Sequence, residues 1–168
     1  MSVMIRPERP GDEEAIHELT QTAFASMPYS SGTEGPIVRA LRLSGDLTLS
    51  LVSEDDDVII GHVAFSPVSI DGIHDHWFGL GPISVKADRR KQGIGKALIG
   101  EGLKRLKAMG ARGCALIGSP DVYRSSGFEA AEQLSYGGLD RKYIQRIVFS
   151  GPEPKGALTY SPAFDVTE

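Results

Sequence analysis

The chain predicts an α+β domain, a mixed central sheet flanked by helices. Three patterns point there. Helical and extended segments alternate along the chain, three extended segments follow one another across short turns, and a strand then runs through a basic, glycine-bearing turn into an amphipathic helix. With 168 residues, 40% of them hydrophobic, one globular domain over residues 1–168 with a substantial core is expected.

Taken in order, residues 3–6 read as a short strand. Asp12 stands as the cap of a helix whose first turn holds Glu13 and Glu14, with Ile16, Leu19 and Ala23 on one face. Residues 27–35, Met-Pro-Tyr-Ser-Ser-Gly-Thr-Glu-Gly, are polar and turn-rich, hence a loop. A helix follows over about 34–43, with Ile37, Val38 and Leu41 inward and Gly45 as its stop. Leu-Thr-Leu-Ser-Leu-Val at 47–52 alternates as a half-buried strand, and Glu54-Asp-Asp-Asp reads as an exposed hairpin turn. Residues 58–68 are apolar enough for a central strand, 71–77 form a turn, and 78–85 form the next strand. From 96 to 109, Leu98, Ile99, Leu103, Leu106 and Met109 recur at helical spacing, and Gly110 ends the helix. Cys114 to Gly118 is a short apolar strand, Pro120 suits the first position of a short helix, and Gly127-Phe128 ends that helix. Residues 143–149 read as the final strand, leaving a tail from Gly151 with three prolines to pack at a partner surface.

A net charge of −4 argues against a general polyanion-binding surface and sets the basic cluster at 89–96 apart from its background. A nucleic-acid role for Arg89, Arg90, Lys91, Lys96, Lys104, Arg105 and Lys107 finds no aromatic stacking platform beside it. The single cysteine, Cys114, has no partner for an internal disulfide, which fits a reducing compartment. No cationic segment with a long apolar run opens the chain, and no apolar stretch approaches membrane-spanning length. A cytoplasmic protein without nucleic-acid or membrane partners is expected. His74 and His76 form a His-x-His pair on a turn, but no further Cys or His cluster joins them, so no metal is expected.

The chemistry concentrates at Ile83-Ser84-Val85 and the turn that follows. Helix N-termini present unpaired amides and partial positive charge, glycine at 93 and 95 lets a phosphate approach the backbone, and Arg90, Lys91 and Lys96 add cations. A dinucleotide fingerprint would need glycine or alanine where Leu98 stands. A nucleoside-triphosphate loop would need glycine in place of Arg90 and Ser or Thr in place of Ala97. What remains, Arg90-x-x-Gly93-x-Gly95 between a strand and a helix, resembles the acyl-coenzyme A pyrophosphate loop of the GNAT N-acetyltransferase superfamily. Tyr123, four residues before Gly127-Phe128, together with Leu80-Gly-Pro-Ile, Gly118-Ser-Pro and Leu158-Thr-Tyr-Ser-Pro-Ala-Phe, is similar to the YhbS-like branch.

That resemblance implies the GNAT acyl-CoA N-acyltransferase fold, a three-layer α/β sandwich whose sheet contains a splayed strand pair. It implies acetyl-CoA as cosubstrate and an amine as acceptor. Cofactor contacts are expected from Ile83, Ser84, Val85, Arg90, Lys91, Gln92, Gly93, Ile94, Gly95 and Lys96, with a backbone N–H near 83–85 facing the thioester oxygen and Tyr123 as general acid. The branch usually carries a second aromatic at Val122 and an Arg-Phe pair at Ser125-Ser126, so its acceptor preference does not carry over. Acceptor pockets in the superfamily use variable loops, here 27–35, 71–77 and the segment after Phe128. Glu34 lies where acceptors usually enter, but no general base is assigned, and ordered water can serve. Homodimers are common in the superfamily. The competing reading is an acyl-CoA sensor that keeps the loop and needs no acid.

Overall fold

The computed structural model describes residues 3–28 and 30–167; Tyr29, part of the loop expected at 27–35, lies outside them, as do Met1, Ser2 and Glu168. The strands are β1 (Val3–Pro7), β2 (Leu49–Asp55), β3 (Val58–Pro67), β4 (Ser69–Ile70), β5 (Trp77–Val85), β6 (Gly113–Ile117), β7 (Glu129–Ala130), β8 (Leu134–Ser135), β9 (Ile144–Val148) and β10 (Gly156–Thr159). The α-helices are α1 (Glu13–Phe24), α2 (Glu34–Ser44), α3 (Ile94–Ala108) and the single turn α4 (Pro120–Tyr123). Among the described residues, a seven-stranded sheet runs β1-β2-β3-β5-β6-β9-β7, and β4-β10-β8 form a small second sheet. Only β5 and β6 pair in parallel within the large sheet, as a strand–helix–strand crossover through α3 requires.

Alternation along the strands sorts the core onto two faces. Leu51, Val63 and Phe65 pack with Ile94, Leu98, Ile99, Leu103 and Leu106 of α3. The intervening Val52 and Ala64 meet Ile16, Val38, Ile37 and Leu41 of α1 and α2. α3 lies close to the sheet because Gly102 offers no side chain there: a Cβ would fall 2.2 Å from the buried Phe65 ring.

Four expectations change. Glu54 and Asp55 are not an exposed turn but the end of β2; Glu54 is buried and receives Arg6 Nε and Nη2 at 3.2 Å each, while Asp55 accepts Arg89 at 2.9 Å. The turn narrows to Asp56 and Asp57, both at positive φ, as the two-residue hairpins that match strand twist require. Asp12 sits at the N-cap of α1 without a side-chain cap bond, since its carboxylate takes Arg6 at 2.7 Å and the Arg9 amide at 2.7 Å. The segment at 144–148 is not the last strand. β10 follows, antiparallel to β4 and parallel to β8, and places the tail on its own chain, with Ala163 and Phe164 packed against Ile37 and Leu41.

Gly102→Ala should lower stability by about 1–3 kcal/mol, the usual cost of overpacking, despite alanine's higher helix propensity. Gly100→Ala, where a Cβ meets nothing within 4 Å, should raise it by up to about 1 kcal/mol. Chemical denaturation of both variants checks the pair.

Candidate active site

β5 runs beside β6 only as far as Gly79, the ladder being Trp77 to Gly113, Phe78 to Cys114 and Gly79 to Ala115. Beyond that point three steps along β5, from Leu80 to Ile83, match two along β3, from Phe65 to Val63. The extra residue is a bulge at Gly81-Pro82, where Gly81 takes φ +132° and proline has no N–H for a ladder. The bulge bends β5 away and opens a gap between the strands. Lys86 N–H donates to Ile60 C=O, so by the alternation of an antiparallel ladder Ser84 turns its backbone groups to β3, while Ile83 and Val85 turn theirs to the gap. The same parity on β6, read from Gly118 N–H donating to Tyr143 C=O, turns Ile117 toward the gap.

At the mouth of the gap stands the front of α3. Lys91 and Gly93 hold positive φ, and Gly93 is the N-cap; its carbonyl accepts Ala97 N–H at 3.0 Å, the first bond of the helix. Ile94, Gly95 and Lys96 therefore carry amides ahead of the helical ladder, and no side chain caps them among the described residues. Gly95 packs on Val85 and Ile83, its Cβ position being 3.6 Å from Val85 Cγ2, which sets the helix start beside the free edge of β5. Lys91, Gln92 and Lys96 are exposed. Arg90 is committed to the scaffold: it donates to Val85 C=O at 3.4 Å and to Ala23 C=O at 2.9 Å. Arg89 pairs with Asp55 and reaches Gln92 at 3.2 Å, and Arg105 pairs with Glu101 at 2.8 Å, so the basic face read from the sequence is partly neutralised.

Tyr123, on α4, lies at the far end of β6. Its ring covers Gly118, where a Cβ would meet Cε2 at 2.6 Å, and meets Phe128 edge-on at 6.3 Å between centroids. The ring packs with the α3-side core. Sequence reading assigned no role to Tyr160, which sits on the other face of the sheet against Gly79. It belongs to the Leu158-Thr-Tyr-Ser-Pro-Ala-Phe run, but only its placement after β10 sets it against Gly79.

Other polar candidates settle into structural roles. His62 is fully buried; Ser50 Oγ lies 2.8 Å from its Nε2 and donates in turn to Glu8, which Arg42 grips at 2.9 and 3.0 Å. Burial pushes the His62 pKa down to about 4, Glu8 opposing and Arg42 reinforcing the shift. The Glu8 carboxyl titrates below its ordinary range: burial would raise it, but the bonds from Arg42 and Ser50 prevail. Burial pushes the Cys114 thiol far up, which makes it an inert core residue. His74 and His76 are exposed on their turn, and among the described residues no group of three or more His, Cys, Asp or Glu is arranged to hold a metal ion. Glu34 opens α2 and accepts from Ser30 Oγ at 2.7 Å. No helix among the described residues is long and apolar enough to cross a membrane.

Comparison with known proteins identifies the family of the fold that carries this site. The family model described as Acetyltransferase (GNAT) domain matches residues 4–131. The chain belongs to the GNAT acetyltransferase family. Within it, the chain is 38% identical over 130 residues to the uncharacterized N-acetyltransferase YhbS of Escherichia coli K12, covering 77% of this chain and 75% of that protein. The crystal structure of E. coli YhbS in complex with CoA superposes with a TM-score of 0.90 at 32% identity, covering 99% of this chain and 93% of that one. A GNAT family acetyltransferase from Brucella melitensis, solved in complex with acetyl-CoA, gives 0.89 at 45% identity, covering 98% and 99%. These GNAT relatives share the mixed sheet flanked by helices.

The depressed His62 pKa has a pH signature. The folded state keeps His62 neutral while the unfolded chain binds a proton below about 6.5, so stability is present above that value and lost as pH falls toward 4. The loss should reach on the order of 3 kcal/mol. His62→Gln should flatten the decline between pH 6.5 and 4.5 and keep the decline below 4.5, where Glu8 protonates. Urea titrations across that range measure it.

Proposed function

We propose that this enzyme transfers the acetyl group of acetyl-CoA directly to a primary amine. The observation that carries the reading is the end of the β5–β6 ladder at Gly79 and Ala115, which turns Ile83 and Val85 toward a gap that leads to the uncapped amides of α3. An extended pantetheine arm pairs with Ile83 and Val85 as an added strand would. The pyrophosphate rests on the amides of Ile94, Gly95 and Lys96 beside Gly93, with Lys91 and Lys96 supplying charge and Gln92 at the rim. Arg90 serves by holding the loop to β5 and α1, and Ser84 by anchoring β5 to β3.

Transfer needs a polarised carbonyl, a neutral amine and a protonated leaving group. The Ile83 N–H, next after the amide-less Pro82, faces the thioester oxygen and stabilises charge developing there; losing such a donor typically costs about 3 kcal/mol of barrier. The amine lone pair attacks the carbonyl carbon, the C–S bond breaks, and the thiolate takes a proton from Tyr123. A phenol with an ordinary pKa of about 10 is protonated at neutral pH and suits this task. Water carries off the amine's proton. A cytoplasmic setting accords with the lone thiol of Cys114.

Acetyl-CoA at a hundredfold excess over its dissociation constant should stabilise the fold by about 2.7 kcal/mol. Gly93→Glu, which puts bulk and negative charge where the diphosphate rests, should remove the thermal shift; a full shift in that variant overturns the donor site. In a free-thiol release assay with a panel of amines, Tyr123→Phe should cut turnover by roughly 100-fold or more with its coenzyme thermal shift intact. Turnover equal to wild type would remove Tyr123 from the chemistry.

A further inference from the structure

The gap between β5 and β6 is closed on one face by a residue from the far end of the chain. Tyr160, just past β10, lays its ring on Gly79, the last β5 residue paired to β6; a Cβ at Gly79 would fall 2.6 Å from Tyr160 Cε2. Gly79 is the vacancy that admits the ring. Tyr160 also packs in one cluster with Ile117, the first β6 residue beyond the ladder whose amide faces the gap. One side chain thus touches both strands where they separate. It lies with Val68, Trp77, Ala115 and Ile117, on the face opposite α3 and Tyr123. Two edge-to-face contacts hold it in place, Tyr136 at 5.8 Å and Phe164 at 4.8 Å between centroids.

Resting on the donor-site reading above, we propose that Tyr160 gauges the acyl group. A thioester whose sulfur lies toward Tyr123 sends its acyl chain through the gap to the opposite face, and there the chain meets the Tyr160 ring. An acetyl methyl stops short of it, whereas a longer straight chain must displace a ring wedged between Gly79 and two aromatic neighbours. Cores packed this tightly resist added methylenes. The length limit is therefore set by the C-terminal segment, and the donor loop contributes nothing to it.

Binding tests this without knowledge of the acceptor. Calorimetric titration of free CoA, acetyl-CoA, butyryl-CoA and hexanoyl-CoA would be run on wild type, Tyr160→Ala, Tyr160→Leu and Tyr160→Phe. Wild type and Tyr160→Phe, which keep the ring, should bind butyryl-CoA at least tenfold more weakly than acetyl-CoA. In Tyr160→Ala the two should agree within about threefold, with free CoA affinity little changed. Tyr160→Leu, which retains apolar packing beside Phe164 should alanine fail to fold, should relax the limit in the same direction. Wild type that takes hexanoyl-CoA as tightly as acetyl-CoA, or substituted variants that bind free CoA with the wild-type length profile, would overturn the proposal. Wild type that binds no CoA at all would strike the donor site instead.

Discussion

β5 cannot stay paired to both neighbours along its length, and the rest of the site follows from that. In the interior of a sheet, an amide without a partner costs about 1–3 kcal/mol, so strands rarely part at the centre. Here the parting is built in. Gly81 takes a backbone conformation that a side chain would resist, Pro82 has no amide to lose, and the extra residue turns the strand aside. The cost of opening is reduced from within, since Val85 C=O accepts from Arg90. What remains open is a short strip of β5, Ile83 in particular, and the front of α3.

Close packing holds the strands around this opening. Glycines 79, 102 and 118 each admit a ring at the distance where a methyl group would clash, so Tyr160, Phe65 and Tyr123 sit against backbone. Arg6 with Glu54 and Asp12 ties β1 and β2 to the start of α1, and Glu8 with Arg42, Ser50 and His62 ties β2 and β3 to α2. These groups are half-buried or buried and mutually bonded, which is how polar side chains are tolerated at such depth.

The strand–turn–helix at 80–109 was legible because its signals are local: an apolar strand, glycines at the turn and a helical period after it. The long helices and central strands were legible for the same reason. The bulge was not read, although a Gly-Pro pair inside an apolar run is a signal that a strand is interrupted. The three aspartates after Glu54 signal a turn, whereas its partner, Arg6, stands 48 residues away. β10 escaped notice because four residues among prolines carry no period, and with it went the position of Tyr160. Arg90 illustrates a different limit: sequence places a guanidinium at the loop, but only packing decides that it faces the carbonyls of Val85 and Ala23.

Tyr123 packs with the core on the α3 side of the large sheet and Tyr160 with the cluster on its opposite face, and the two are close enough to feel each other's charge. A reaction conducted through the window between β5 and β6 has a direction. On the reaction proposed above, the thiol would withdraw toward the α3 side, away from the face that Tyr160 covers.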